Sequence, residues 1–406
     1  MVVHELDGLR KAPNGRGQAA REVIRQIDKF SKESPSLKNV SLGENKGDFS
    51  IFFDEIPDEV DYTVQIPKSL IDDIIIKYIK KLQGNLSNVF FVSKDIGQRI
   101  KASVQGIQAQ DYLSSKVKDF DDIYKGIHSE VITVPPPENG DPFHDFIEAP
   151  DGLLENEYCY VKFDDYDSLD PILYRKNKKQ LLPVDYYKQC VSEIRPFDNN
   201  QRMALDALMN DDIKIVAISG VAGSGKTLMS LASAINSYKS GKIKTLMYVK
   251  PIVPVGGRDL GYLPGDKEEK LMNWAKPLYD NLKVIEMATG EVFHGDFQDT
   301  GGIDIELEAY TYMRGRTIHD TFAILDEVQN CTFLETKTAL SRMGEKTKCV
   351  LLADLTQIDN QYVDAESCGF AQAVSSLKDH PLFAAVHLEK SKRSDISRLV
   401  AERMNK

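Results

Sequence analysis

The chain has 406 residues, 42% of them hydrophobic and 28% charged, with a mean hydropathy of −0.34, which implies two or three globular domains and excludes wholesale disorder and fibrous repeats. No stretch approaches the ~18 uninterrupted apolar residues of a membrane helix, and the five cysteines (Cys159, Cys190, Cys331, Cys349, Cys368) form no CxxC pair, which excludes a zinc ribbon and a disulfide framework. The net charge of −11 is concentrated, residues 131–170 alone summing to −10, so the chain does not read as a bulk nucleic-acid binder although local basic tracks stay open on either flank. The opening residues MVVHELD have no signal-like character, and the expected location is the cytoplasm.

Three zones follow in chain order. In residues 1–130, the segment 69–82 (SLIDDIIIKYIKKL) carries apolar residues at helical spacing, and 88–93 (NVFFVS) is a continuous apolar run that predicts a buried parallel strand. The tract 135–140 (PPPENG) is a linker signal. Residues 131–190 form a small β-rich connector in which 157–163 (EYCYVKF) and 171–174 (PILY) are strands around an acidic loop. Tyr158, Tyr160 and Phe163 fall at strand spacing there; packing is favoured over base stacking for them. From 191 to 406, strand, Gly-rich turn and helix alternate, which predicts an α/β domain.

The sharpest motif is 220–227 (GVAGSGKT), a full match to G-x-x-x-x-G-K-[ST], with a strand-like run before it and a helical pattern after it. Gly220, Gly223 and Gly225 let successive backbone N–H groups curl around an anion, and the residues from Ser224 to Leu228 set the helix N-terminus against it. Lys226 reaches the β- and γ-phosphates, and the Thr227 hydroxyl suits Mg²⁺. The run 321–327 (TFAILDE) delivers Asp326 for the Mg²⁺ shell and Glu327 to polarise an attacking water. A third run, 348–357 (KCVLLADLTQ), ends in Asp354 and Gln357, polar groups that can sense a γ-phosphate. A plain strand-end turn is the rival reading for that last pair.

Further segments carry a family resemblance: 200–202 (NQR), 251–257 (PIVPVGG), 261–266 (GYLPGD), 314–317 (RGRT), 326–330 (DEVQN), 354–359 (DLTQID) and 392–394 (KRS). In this order they resemble the PhoH family of P-loop ATPases, relatives of superfamily 1 helicases, across essentially all of 191–406. The resemblance implies a RecA-like core binding ATP and Mg²⁺, with Gln201 reading adenine and Arg393 placed against the γ-phosphate. Lys250 stands where the family usually has Arg, and Ala353 where it usually has Gly. Only ~200 residues follow Gln201, enough for one core rather than two. The arginine is therefore expected in trans, in a homo-oligomeric ring, a hexamer.

In the first zone, 3–9 (VHELDGL), 17–25 (GQAAREVIR) and 92–102 (VSKDIGQRIKA) resemble the PIN nuclease domain, which two-domain PIN–PhoH proteins carry ahead of the ATPase. By motif, Glu5, Asp72 and Asp95 match the acidic positions that hold Mg²⁺ or Mn²⁺. The family's opening strand, with its Asp-Thr-Asn motif, has no counterpart in this sequence. Independent nuclease activity is not expected from the sequence as it stands; either the true start lies upstream, or the domain serves RNA contact or assembly.

The expected architecture is α/β: a RecA-like P-loop NTPase core with a parallel sheet (191–406), preceded by an incomplete PIN-like α/β domain (1–130) and the β-rich connector (131–190). The expected function is an ATP-hydrolysing motor, a helicase or translocase, on single-stranded RNA. The alternatives are a metal-dependent ribonuclease gated by ATP and a nucleotide-switched RNA-binding scaffold.

Overall fold

A computed structural model describes residues 2–10, 15–42, 47–51, 68–84, 86, 88–93, 95–110, 123–135, 146–164, 170–184, 190–251, 276–293, 303–313, 315–360 and 363–390. The chain divides into two compact units, Met1–Ser114 and Ser115–Lys406.

The first unit holds helices α1 (Val2–Leu9), α2 (Gly15–Glu33), α3 (Lys68–Gln83) and α4 (Ile96–Val104), with short strands β1 (Val40–Ser41), β2 (Asp48–Phe49), β3 (Phe90–Val92) and β4 (Gln108–Gln110). The helical spacing of 69–82 becomes α3, whose Ile76 is buried with Ala102 and Ile107 in a small core. β3 pairs with β4 in parallel, Phe91 opposite Ala109. The expectation of a buried strand holds on one face only. Phe91 packs on the core, whereas Phe90 and Val92 are 55% and 44% exposed. Alternation puts those two side chains on the opposite face, so an apolar run here reflects composition rather than burial on both sides.

The described residues of the second unit form two sheets. Strands β5 (Ile132–Val134), β6 (Ile147–Glu148), β7 (Tyr158–Phe163), β8 (Ile172–Asn177) and β9 (Gln180–Pro183) form the sheet β5-β7-β8-β9-β6, antiparallel except for the β5–β7 pair. Tyr158 and Phe163 are core residues, at 0% and 2% exposure. The Tyr158 hydroxyl donates toward the Asp206 carboxylate (2.8 Å) and lies 2.9 Å from the Met203 carbonyl. Arg175 Nε donates to the same carboxylate at 2.7 Å. Both acceptors lie on α5 (Asn199–Met209), so the connector sheet is fastened to the first helix of the ATPase-like part.

The six-stranded sheet is built from β10 (Ile215–Gly220), β11 (Thr245–Lys250), β12 (Ile305–Ala309), β13 (Thr321–Leu325), β14 (Lys348–Ala353) and β15 (Phe383–Leu388). Its order is β12-β11-β13-β14-β10-β15, with every pair parallel. The central strands are continuous apolar runs because helices cover both faces. On one side α5, α6 (Lys226–Lys239) and α7 (Lys276–Thr289) bring Leu205, Leu231 and Leu282 onto Ile218, Tyr248 and Ile324. On the other, α8 (Phe333–Leu340) and α9 (Gly369–Leu377) bring Ala339, Phe370 and Val374 onto Ala217, Leu325 and Leu351. α8 starts in a reciprocal cap: Thr332 accepts from the Glu335 N–H, and the Glu335 carboxylate accepts from the Thr332 N–H. Among the described residues, no helix is long and apolar enough to cross a membrane.

Candidate nucleotide site

The site stands at the C-terminal edge of this parallel sheet, where β10, β13 and β14 end side by side. Such edges gather the loops of an open α/β sheet. β10 runs into a turn and then α6, the strand–loop–helix order that 220–227 requires. Gly220 has no room for a side chain, since a Cβ there would lie 2.5 Å from the Leu388 carbonyl oxygen. Gly225, with φ of 95°, occupies the left-handed conformation that starts α6. Lys226 Nζ donates to the Gly220 and Val221 carbonyls at 2.6 and 3.0 Å. The ammonium is thus held inside the loop by the loop's own oxygens.

Gln201 is buried against that loop. Its Nε2 donates to the Ser224 carbonyl (2.9 Å), and its Oε1 accepts from the Phe197 N–H (2.8 Å). The helix that carries it is capped by Asp198, whose carboxylate accepts from the Gln201 N–H at 2.9 Å.

Asp326 and Glu327 follow β13. Asp326 is 8% exposed; it accepts from the Tyr248 hydroxyl through Oδ2 and from the Glu327 N–H (2.9 Å) through Oδ1. Glu327 has a left-handed backbone, φ 56°. Burial pushes its carboxyl up from the ordinary range, and the neighbouring Asp326 adds to this; Lys250, Gln329 and Lys226 pull the other way. Lys250 Nζ lies 3.8 Å from Glu327 Oε1, so this lysine is an electrostatic partner of that carboxylate.

Gln329 lies within the 326–330 segment, which gives it no role on sequence alone. It is fully buried. Its Nε2 donates to Glu327 Oε2 and to the Gln357 carbonyl (3.1 Å), and its Oε1 accepts from the Asp354 N–H (3.1 Å). One amide therefore joins the acid after β13 to the turn after β14. Only knowledge of which strands are neighbours could have revealed this. Gln357 itself is exposed at the rim. Asp354 Oδ1 caps the turn through the Thr356 N–H and hydroxyl (3.1 and 2.6 Å).

Two buried oxygens near the loop, Ser224 Oγ and Asp354 Oδ2, are left without hydrogen-bond partners among the described residues. The donor set offered by Thr227 and Asp326 is a hydroxyl and a carboxylate, hard oxygens that suit Mg²⁺. Arg393, the 261–266 and 392–394 segments, Arg314 and most of 251–257 lie outside the described residues.

In the first unit, the backbone of Asp95 starts α4 and its Oδ1 accepts from the Gln98 N–H at 3.1 Å. Asp72 Oδ1 accepts from Gln98 Nε2 at 2.6 Å. The two acids thus meet on one glutamine. The Glu5 side chain lies outside the described residues. No group of three or more His, Cys, Asp or Glu side chains is placed for a metal ion among the described residues.

Comparison with known proteins matches residues 193–404 to the PhoH-like protein family and residues 1–113 to a PIN domain family. The protein PhoH2 of Bacillus subtilis strain 168 is 34% identical over 417 residues, covering 99% of this chain and 92% of that one. PhoH2 of Thermobispora bispora is 30% identical over 413 residues, covering 99% and 89%. Among solved structures, the Pif1 helicase of Candida albicans matches 52% of this chain and 44% of that one at 14% identity and a TM-score of 0.28, too distant to carry an argument. With its phosphate loop, its paired acids and full-length relatives on both sides of the linker, this chain belongs to the PhoH family and carries a PIN domain ahead of its PhoH-like domain.

Proposed function

We propose that the protein binds and hydrolyses MgATP at 220–227 and uses the cycle to move along single-stranded RNA. The observation that carries the ATPase reading is the Gln329 amide bridging Glu327 and the Asp354–Gln357 turn beside a phosphate loop whose lysine rests on its own carbonyls. The loop N–H groups and the α6 N-terminus receive the phosphates. Lys226 exchanges the Gly220 and Val221 carbonyls for phosphate oxygens, a stronger charge-assisted contact. Mg²⁺, held by the Thr227 hydroxyl and Asp326, would supply charge neutralisation on the β- and γ-phosphates. Glu327 orients the attacking water and accepts its proton. Gln329 passes the state of that end of the site to the Asp354–Gln357 turn. Gln201 fixes the loop through Ser224 and, by family resemblance, meets the adenine. Arg393 meets the γ-phosphate by family resemblance, and the single core calls for it in trans, from a neighbouring copy in a ring.

The RNA reading rests on membership of the PhoH family together with the PIN domain. A second reading, a ribonuclease gated by ATP, is favoured by one observation, the convergence of Asp72 and Asp95 on Gln98. Phosphate release from MgATP by the wild-type chain and by Lys226→Ala tests the ATPase. Turnover by the wild type and a loss of roughly 100-fold or more in the variant are expected; equal rates would refute it. Cleavage of single-stranded RNA that Asp95→Asn abolishes while ATP turnover persists would move the assignment to the nuclease.

A further inference from the structure

A row of three residues crosses the sheet just before the phosphate loop: Ala353 on β14, Ser219 on β10 and His387 on β15. Residues in one such row share a face of the sheet. Here it is the face under α8 and α9, because Ala217 and Ala385, two residues earlier on the same strands, belong to that core. His387 Nδ1 lies 2.8 Å from Ser219 Oγ. A neutral imidazole has one donor and one acceptor nitrogen, so it can bond a hydroxyl in either direction. Burial lowers the imidazole's pKa from its ordinary value, with Lys125 and Lys226 pulling the same way and Glu389 and Asp354 opposing.

The location gives this bond its meaning. Ser219 immediately precedes Gly220, whose carbonyl holds Lys226 at 2.6 Å. Gly220 in turn sits so close to Leu388 that a Cβ would be 2.5 Å from its carbonyl oxygen and 2.9 Å from its Cβ. The strand end from which the loop springs is thus fastened to β15 at two successive positions, once by a hydrogen bond and once by close packing. Both contacts run to β15, not to residues 221–227.

We infer that His387 is a positioning residue of the nucleotide site, holding through Ser219 the strand end on which the 220–227 nest is built. The inference rests on the phosphate-loop reading given above. A nest of backbone N–H groups meets the phosphates before and during reaction alike, so loosening it removes uniform binding. The dissociation constant and KM rise by more than kcat falls. A residue that only filled the core would lower the melting temperature and leave the affinity of the folded protein as it was.

The test is calorimetric titration with MgADP and turnover of MgATP for the full chain, His387→Ala, Ser219→Ala, the double variant and His387→Asn, with melting temperatures alongside. The asparagine amide puts a polar atom where Nδ1 stands. Each alanine variant is expected to raise the MgADP dissociation constant about three- to tenfold, the loss of one hydrogen bond. The double variant should be no worse than either single one, and asparagine should recover most of the affinity. Unchanged affinity in His387→Ala, additive losses in the double variant, or no rescue by asparagine would overturn the inference. If His387→Ala does not fold, Ser219→Ala, which removes only a hydroxyl, decides alone. A wild-type chain that binds no MgADP would instead overturn the nucleotide-site reading, and this inference with it.

Discussion

Gln329 and Glu327 are joined side chain to side chain, amide to carboxylate: Glu327 has a left-handed backbone, and Gln329 lies in the 3-10 turn Val328–Asn330 that follows it. The other contacts of that amide, to the Asp354 N–H and the Gln357 carbonyl, fix it completely. Glu327 is therefore held, through Gln329, to the turn after β14.

Gln329→Leu keeps the volume and removes all three contacts. It should lower kcat of ATP hydrolysis about 10- to 100-fold through misplacement of Glu327, with a smaller change in nucleotide affinity. Steady-state kinetics beside direct binding checks this. An equal loss in affinity and no loss in kcat would place Gln329 in binding instead.

The ion pair of Arg175 and Asp206 ties the connector sheet to α5. The arginine is nearly fully buried, at 8% side-chain exposure, and Asp206 is at 23%. Removing one partner strands the other, which costs about 3–5 kcal/mol for a buried pair and somewhat less here, because the carboxylate is partly wet. Arg175→Met should accordingly lower stability to urea by a few kcal/mol. The double variant Arg175→Met/Asp206→Asn should recover part of it.

Lys348 stands at the start of β14, and its Nζ donates to the Ala207 and Asn210 carbonyls at the end of α5 (2.9 and 2.7 Å). Burial pulls its pKa down to about 7 from 10.5, with Lys214 and Lys242 pulling the same way and Asp211 and Asp206 opposing. The folded value lies below the unfolded one, so the unfolded chain binds more protons between them. Stability from this group is complete above the unfolded value and is lost as pH falls through the folded one. The wild-type urea midpoint should therefore climb from pH 7 toward pH 10, and the climb should be shallower in Lys348→Met. Parallel pH profiles for the two proteins would contradict this.

Much of the secondary-structure setting of the candidate nucleotide site was legible because its motifs are local. Eight consecutive residues specify the phosphate loop, and the structure supplies the strand before Gly220 and the helix from Lys226. Asp326 and Glu327 were readable at the end of an apolar run for the same reason. The sheet order was not. β14 lies between β13 and β10, a neighbour relation between segments far apart in sequence, and no periodicity encodes it. The roles of Gln329 and His387 depend on that order, and that of Lys348 on where α5 packs against the sheet. The exposure of Phe90 and Val92 was hidden for a different reason: an apolar run reports what a strand can bury, not what covers it.

The most direct measurement is the rate of phosphate release from MgATP with and without single-stranded RNA, using the wild-type chain and Lys226→Ala. A protein that moves along RNA should turn over ATP faster when RNA is present, and the stimulation should vanish in the variant. Hydrolysis by the wild type at the same rate with and without RNA would contradict it.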